Sequence, residues 1–530
     1  MSTSLRRLRD NPQPRRTGSP PQPGSRSTSE RLLGVLGLRE HPVPPWFPAV
    51  AGALVLTVIG GWAAALGFMT SVPFTGDESF YTDNAAAIAG LLRGQGDAGE
   101  VARDVVAYGW FMPGTSLLLT PLYLVLPDAG PAAVRLYGAL VVFALWWWAL
   151  RNVARTFGPA GALTLLAMPS LTPIWLLFAN TAWGDVPAGL LLAVVCAHTY
   201  RLATGLFAKR PLRWIDVVVL EVAMAAMVYL RGNTVVVVVA VHVFLGALAV
   251  ISRDWSRLPQ RIAAVGIGAA LFAALLAPWS VTASRVLDGT VVTTSSAALS
   301  LGITFGDTDR LCFGPCPEGG VWYHAVQFSR EQAQQRGVGE LAVQREMSAS
   351  ALEGLTPTAY ARQARQNFAS FIRPHGQGPR GSRPFVQRFA AVSDHDLSRP
   401  AVQRTTATLG TATLIVYVPF FLALIAANLA VFVRSRRLQL LSLTVKLFTV
   451  SLFLQPFLHP SHARYWVAFA PLMAVAATLF VHWRVPAAAP AATNGAAAAT
   501  DEGAGDVVLT VLQAAYAVVI AAVALWLLTA

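Results

Sequence analysis

Charge is scarce in this chain of 530 residues: 13% of them are charged, about half the ~25% of ordinary soluble domains. That shortage excludes a conventional soluble enzyme of about three domains, and also a disordered chain. Three cysteines exclude a scaffold built from disulfides. Lysine is nearly missing, with only Lys209 and Lys446, so the basic side chains are almost all arginine. With abundant alanine, this is the composition expected of a GC-rich bacterial genome. No internal repeat is visible, and a transporter built from inverted repeats would often show one. The net charge of +13 would suit a nucleic-acid partner, but the placement of the charge argues against one.

In excess is apolar sequence, 55% of the chain. It falls into runs near 46–69, 132–150, 158–179, 187–204, 214–230, 233–251, 262–281, 408–433, 438–458, 465–483 and 506–529. Each approaches the ~20 residues that cross a ~30 Å hydrocarbon core. The expected fold is an all-α polytopic membrane protein of about eleven transmembrane helices. A further apolar stretch, Pro113–Pro127, is bounded by proline and shorter than a span, so it is expected to be re-entrant or juxtamembrane.

The arginines test this topology. With 113–127 not crossing, one side carries Arg151 and Arg155, then Lys209, Arg210 and Arg213, then Arg253, Arg257 and Arg261, then Arg434, Arg436 and Arg437, then Arg484. The short connections on the other side carry only Arg231 and Arg464. The first side is therefore cytoplasmic, and much of the net charge is topological, with affinity for anionic lipid. The expected domain plan begins with a disordered basic cytoplasmic tail, 1–45. A transmembrane module, 46–281, follows, with its first outer loop at 70–131. Then come an extracytoplasmic domain, 282–407, and further transmembrane helices, 408–484. A low-complexity cytoplasmic linker, 485–505, leads to a last helix, 506–530. The chain is expected in the plasma membrane with its N-terminus in the cytoplasm.

The extracytoplasmic block is expected to be a small mixed α/β domain. Within it, Thr356-Pro357 looks like a helix start, and Tyr360, Ala364, Phe368 and Phe371 recur at helical spacing. An amphipathic helix lying on the membrane surface fits that stripe. Residues 374–400, rich in Gly, Pro and Arg, read as a loop. Cys312 and Cys316, either side of Phe313-Gly314-Pro315, are expected to form a disulfide in the oxidising outer compartment.

Ionisable residues gather at the outer ends of the runs. Asp77 and Glu78, with Tyr81, follow the first run; alone, such a pair is a solvated acidic turn. Asp185 opens another run after Trp183-Gly184, where a bland reading is a helix cap. Arg231 and Arg464 flank short outer turns, where snorkelling is the simple account. Arg285 sits where Pro278-Trp279 leads through Gly289 into the outer block, and Arg464-Tyr465 precedes Pro471. His459 and His462, with no clear third ligand, are weak evidence for a metal.

In this order and topology, the motifs resemble those of the GT-C superfamily of membrane glycosyltransferases, over about residues 45–483. The nearest likeness is to protein O-mannosyltransferases and lipid A aminoarabinose transferases. The paired prolines usual before the short segment are Met112-Pro113 here, and the basic tail and last helix look like additions. The resemblance implies a GT-C fold and transfer of a sugar, with inversion, from a polyprenyl-phosphate carrier to a glycan, glycolipid or protein hydroxyl. It implies Asp77 as general base with Glu78 as its partner, and Asp185 positioning substrate or sharing the base role. Tyr81, Arg231, Arg285, Arg464 and Tyr465 are the implied substrate and phosphate contacts. No nucleotide or other cofactor is implied, and the chemistry does not require a metal. Two other classes are open at this point: a transporter or flippase for a lipid-linked saccharide, which would favour carboxylates near mid-helix, and a catalytically dead member acting as a scaffold.

Overall fold

Apolar runs broken by short polar turns leave the backbone one economical way to satisfy its N–H and C=O groups out of water, which is the helix. The computed structural model describes residues 74, 77–106, 111–170, 182–295, 297–316, 321–372, 415, 418–431, 433, 435–459, 466–484 and 506–529. Among them the elements are helices, with no strand. The first are α1 (Asp77–Leu92), α2 (Ala98–Val106), α3 (Gly114–Val125), α4 (Pro131–Ser170) and α5 (Asp185–Phe207). Then come α6 (Trp214–Leu230), α7 (Val235–Ile251), α8 (Leu258–Val286) and, in the block expected to be extracytoplasmic, α9 (Ala297–Phe305), α10 (Val321–Arg336), α11 (Glu340–Leu352) and α12 (Pro357–Ile372). The last are α13 (Val418–Leu429), α14 (Arg436–Phe453), α15 (Trp466–Arg484) and α16 (Val507–Thr529).

Six helical stretches among the described residues are long and apolar enough to cross a membrane: Pro131–Gly158, Asp185–Phe207, Gly232–Ile251, Leu258–Val286, Arg436–Phe457 and Val507–Thr529. The segment α3 has 12 residues, about 18 Å of helix, too short to cross. The expected run at 46–69, the tail 1–45, the loop 374–400 and the linker 485–505 lie outside the described residues. The connection expected after residue 150 is absent: α4 continues through Arg151 and Arg155 to Gly158, where a positive φ of 75° breaks it and a second helical stretch starts at once. Straight-chain arginines are good helix formers, so they extend the helix instead of ending it.

The helix α5 is central, with nearly every side chain buried, and α4, α6 and α15 pack around it. By contrast α16 is mostly exposed and is held by polar groups. Gln439 donates to Thr510 Oγ1 at 2.9 Å, Lys446 donates to Gln513 Oε1 at 3.1 Å, and Tyr516 donates to Asn428 Oδ1 at 2.6 Å. Between apolar helices, such bonds supply the attachment that hydrophobicity cannot.

Two expectations for the outer block need correction. It is helical where described, with no β component. Its core joins Leu299, Leu311, Val326, Val343, Met347 and Ala351, and the last three named recur every four residues, a helical period. The helix α12 is covered by protein on its apolar face. Phe368 and Phe371 pack on Phe453, at centroid distances of 5.4 and 5.6 Å, and Tyr360 OH donates to Phe457 O at 2.8 Å. An apolar stripe is satisfied equally by lipid or by other helices, and here the end of α14, the turn after it and Trp526 of α16 supply the cover.

Cys312 and Cys316 are bonded to each other, with Cα atoms 5.0 Å apart. The turn between them puts its positive φ, 56°, at Phe313. Closing so short a loop stabilises by about 2 kcal/mol in the chain-entropy account. Replacing both cysteines by serine should therefore lower the stability of the α9–α11 core by about that much. Limited proteolysis with and without reductant would measure it, and equal cleavage of both proteins would count against it.

The start of α3 lies against the end of α6. A Cβ on Gly114 would lie 2.3 Å from the Tyr229 carbonyl oxygen, whereas one on Gly138 would meet nothing within 4 Å. Gly114→Ala should cost about 1–3 kcal/mol through forced separation. Gly138→Ala, in an open helical position, should be neutral or stabilising by up to ~1 kcal/mol. Thermal unfolding of the purified variants in detergent would compare the two.

Candidate functional site

The first turn of α1 carries Asp77 and Glu78 side by side, and the two residues have different surroundings. Glu78 is 2% exposed. One of its oxygens faces Arg135 Nη2 at 3.5 Å, and the other accepts the Ala182 N–H at 3.0 Å. Arg135 is itself buried, lies one turn into α4, and has its guanidinium 5.9 Å from the Phe74 ring centroid. A buried carboxylate costs several kcal/mol unless it is paired and hydrogen-bonded. Glu78 has both kinds of partner, and in taking them it ties α1, α4 and the segment before α5 together. Asp77, on the same turn, is only partly buried.

Three residues beyond Ala182, Asp185 begins α5 and is 3% exposed. Its carboxylate is paired with the Arg231 guanidinium. The capping role open to Asp185 falls to its neighbour: Gly184 is the N-cap, without a side-chain cap bond. Arg231 sits where α6 ends, its backbone extended at φ −147° and its N–H still bonded to Met227 O at 2.9 Å. Extension at that residue turns its side chain off the helix, towards Asp185.

Glycine makes this convergence possible. A Cβ on Gly184 would lie 2.8 Å from Thr115 Oγ1 and 2.9 Å from Leu230 O. The start of α5 therefore sits directly against the start of α3 and the end of α6. Thr115 is buried, and its hydroxyl has no hydrogen-bond partner among the described residues. Asp77, Glu78, Arg135, Asp185, Arg231 and Thr115 thus gather at one end of the helical bundle.

The remaining expected residues fall in different places. Tyr81 is buried with its ring edge-on to Phe111 at 5.3 Å, in a packing position. Arg285 is exposed in the last turn of α8. It lines a shallow depression of about 540 Å³ with Ser280, Ser284, Asp288 and Thr290. The depression borders the segment that runs to Thr293 and Thr294. Trp279 Nε1 donates to Thr293 O at 2.5 Å, and Thr294 touches Gly232, next to Arg231. Arg464, Tyr465 and His462 lie outside the described residues, and His459 stacks on Trp322 at 5.4 Å. No group of three or more metal-ligating side chains occurs among the described residues.

Arg135 escaped the sequence analysis, although an arginine inside an apolar run is a functional candidate by position alone. The same signal marks Glu221 and His242, which meet at 3.2 Å halfway along α6 and α7. Comparison of the chain with protein-family models, with curated proteins and with solved structures gave no match.

Removing one partner of a buried ion pair leaves the other charge stranded. Arg135→Ala should therefore destabilise by about 3–5 kcal/mol. The pair of similar shape, Glu78→Gln with Arg135→Met, should recover most of that loss. Apparent melting temperatures of the three proteins would test this. A double variant no better than Arg135→Ala would rule out the stranded charge as the cause.

Proposed function

We propose that this chain is an inverting, membrane-embedded glycosyltransferase that moves a sugar from a polyprenyl-phosphate carrier to an acceptor hydroxyl. The observation that carries the reading is the convergence of the Asp77-Glu78 turn and the Asp185–Arg231 pair at one end of the bundle. It joins a carboxylate pair and a guanidinium, the groups that such a transfer needs.

In this reaction the acceptor oxygen attacks the anomeric carbon while its proton passes to a carboxylate, for which Asp77 is the candidate. The bond between the anomeric carbon and the phosphate oxygen breaks, and its electron pair leaves with the lipid phosphate. Glu78, held by Arg135 and the Ala182 amide, fixes the turn that presents Asp77. Asp185 orients the Arg231 fork, which is the candidate partner of the departing phosphate. Arg285 is a second phosphate candidate, at the depression beside Thr290. The reading places this end of the bundle on the outer face of a bacterial plasma membrane.

Membranes carrying the wild-type chain or Asp77→Asn would be supplied in turn with radiolabelled polyprenyl-phosphate mannose, arabinose and galactose. One donor should be consumed by the wild type, and Asp77→Asn should be slower by about 10²–10⁴-fold, the range for loss of a general base. Consumption at equal rates would remove Asp77 from the mechanism. Consumption of no donor by a folded chain with acceptors present would reject the transferase. The second reading, a transporter of lipid-linked saccharide, is favoured by one observation: the Glu221–His242 pair lies at mid-helix, where transporters place their ionisable groups.

A further inference from the structure

At the other end of the same helices is a second polar cluster that the transfer reaction does not use. Arg201 lies sixteen residues along α5 from Asp185, about 24 Å of helix. Its guanidinium donates to Asn152 O at 3.1 Å and faces Asp216 Oδ1 at 3.5 Å. Asp216 is 5% exposed and also meets His198 Nδ1 at 3.1 Å and Arg213 Nε at 3.8 Å. Arg155, one turn after Asn152, lies close enough to Arg201 to act on it electrostatically, as does Arg213. Two guanidinium groups thus face one carboxylate, and a third, Arg155, lies beside Arg201, leaving an excess of two positive charges.

The carboxylate faces inward and the excess charge faces outward. The Arg213 side chain is 76% exposed and Arg155 is exposed, whereas Arg201 is held in place by its two partners. Next to Arg213, Trp214 and Ile215 are 53% and 59% exposed. An exposed tryptophan at the start of an apolar helix marks the interface between headgroups and acyl chains. The cluster therefore sits at headgroup depth, with apolar side chains directly beside it.

We propose that Arg155, Arg201 and Arg213 form a binding site for the phosphate of an anionic lipid headgroup, with Trp214 and Ile215 against its acyl chains. Guanidinium forks match phosphate oxygens in pairs, and the apolar neighbours favour a lipid over a free anion. This inference does not rest on the proposed reaction. It requires only that these helices span a membrane, and it assigns the lipid to the end opposite the candidate site.

The test is native mass spectrometry of the full chain in neutral detergent, titrated with phosphatidylglycerol, phosphatidylcholine or inorganic phosphate. Each exposed arginine should contribute about fivefold to the affinity for phosphatidylglycerol. Arg155→Gln with Arg213→Gln should then weaken binding by about 25-fold. Arg6→Gln with Arg7→Gln, which removes equal charge from the N-terminal segment, should change it less than twofold. Phosphatidylcholine should bind no more tightly to wild type than to the Arg155/Arg213 variant, and millimolar phosphate should not displace phosphatidylglycerol. Unchanged binding by the Arg155/Arg213 variant, or an equal loss in the Arg6/Arg7 variant, would overturn the site. Displacement by inorganic phosphate would overturn its assignment to lipid.

Discussion

The arrangement at the candidate site depends on the burial of one carboxylate. Glu78 sits among apolar helices, where an unpaired charge is not tolerated, so Arg135 and the Ala182 amide must be where they are. Those partners come from α4 and from the segment leading into α5. Satisfying one side chain therefore fixes the start of three helices. Asp77 is placed by its neighbour, and the approach of Asp185 follows from the position of Ala182. A buried ion pair contributes little net stability against an apolar substitute of the same shape. Its effect here is on which helix ends come together.

The two ends of the bundle use charge differently. At the candidate site, Glu78 with Arg135 and Asp185 with Arg231 balance one another in a tightly packed region with glycine at its contacts. At the opposite end, Asp216 is outnumbered by Arg155, Arg201 and Arg213, whose excess charge faces outward. A balanced buried set needs no counter-ion from outside. An unbalanced exposed set attracts an anion. The physical difference lies in desolvation: a buried charge must be neutralised locally, whereas an exposed one is free to recruit its counter-ion from outside.

Between the ends, the helices differ in how they are held. The helix α5 is buried on all sides and needs only packing. The helix α16 is exposed over most of its length and is attached through Gln439, Lys446 and Asn428 and, near its end, through Trp526 against Tyr360 and Phe457. The helices α9–α12 are stapled by a short disulfide, and the aromatic face of α12 docks onto the bundle.

Hydrophobic run length and local spacing are properties of the sequence itself. They located α5, α6, α7, α8, α14 and α16 to within a few residues, along with the short α3, because each depends on neighbours a turn or two away. The residues of the Asp77-Glu78 turn, Asp185 and Arg231 were also legible, as ionisable groups at the ends of apolar runs. Which of them pair was not. Arg135 lies 57 positions from Glu78, and nothing local links them. A helical period gives the face a side chain occupies and leaves its neighbour undetermined. For the same reason the stripe of α12 was legible while its cover was not, and Arg201 and Asp216 became one cluster only when α4, α5 and α6 were packed. The sequence determined the helices and their exposed charges. The tertiary structure decided the partners, because pairing over such separations is chosen by packing and by the cost of leaving a charge buried alone.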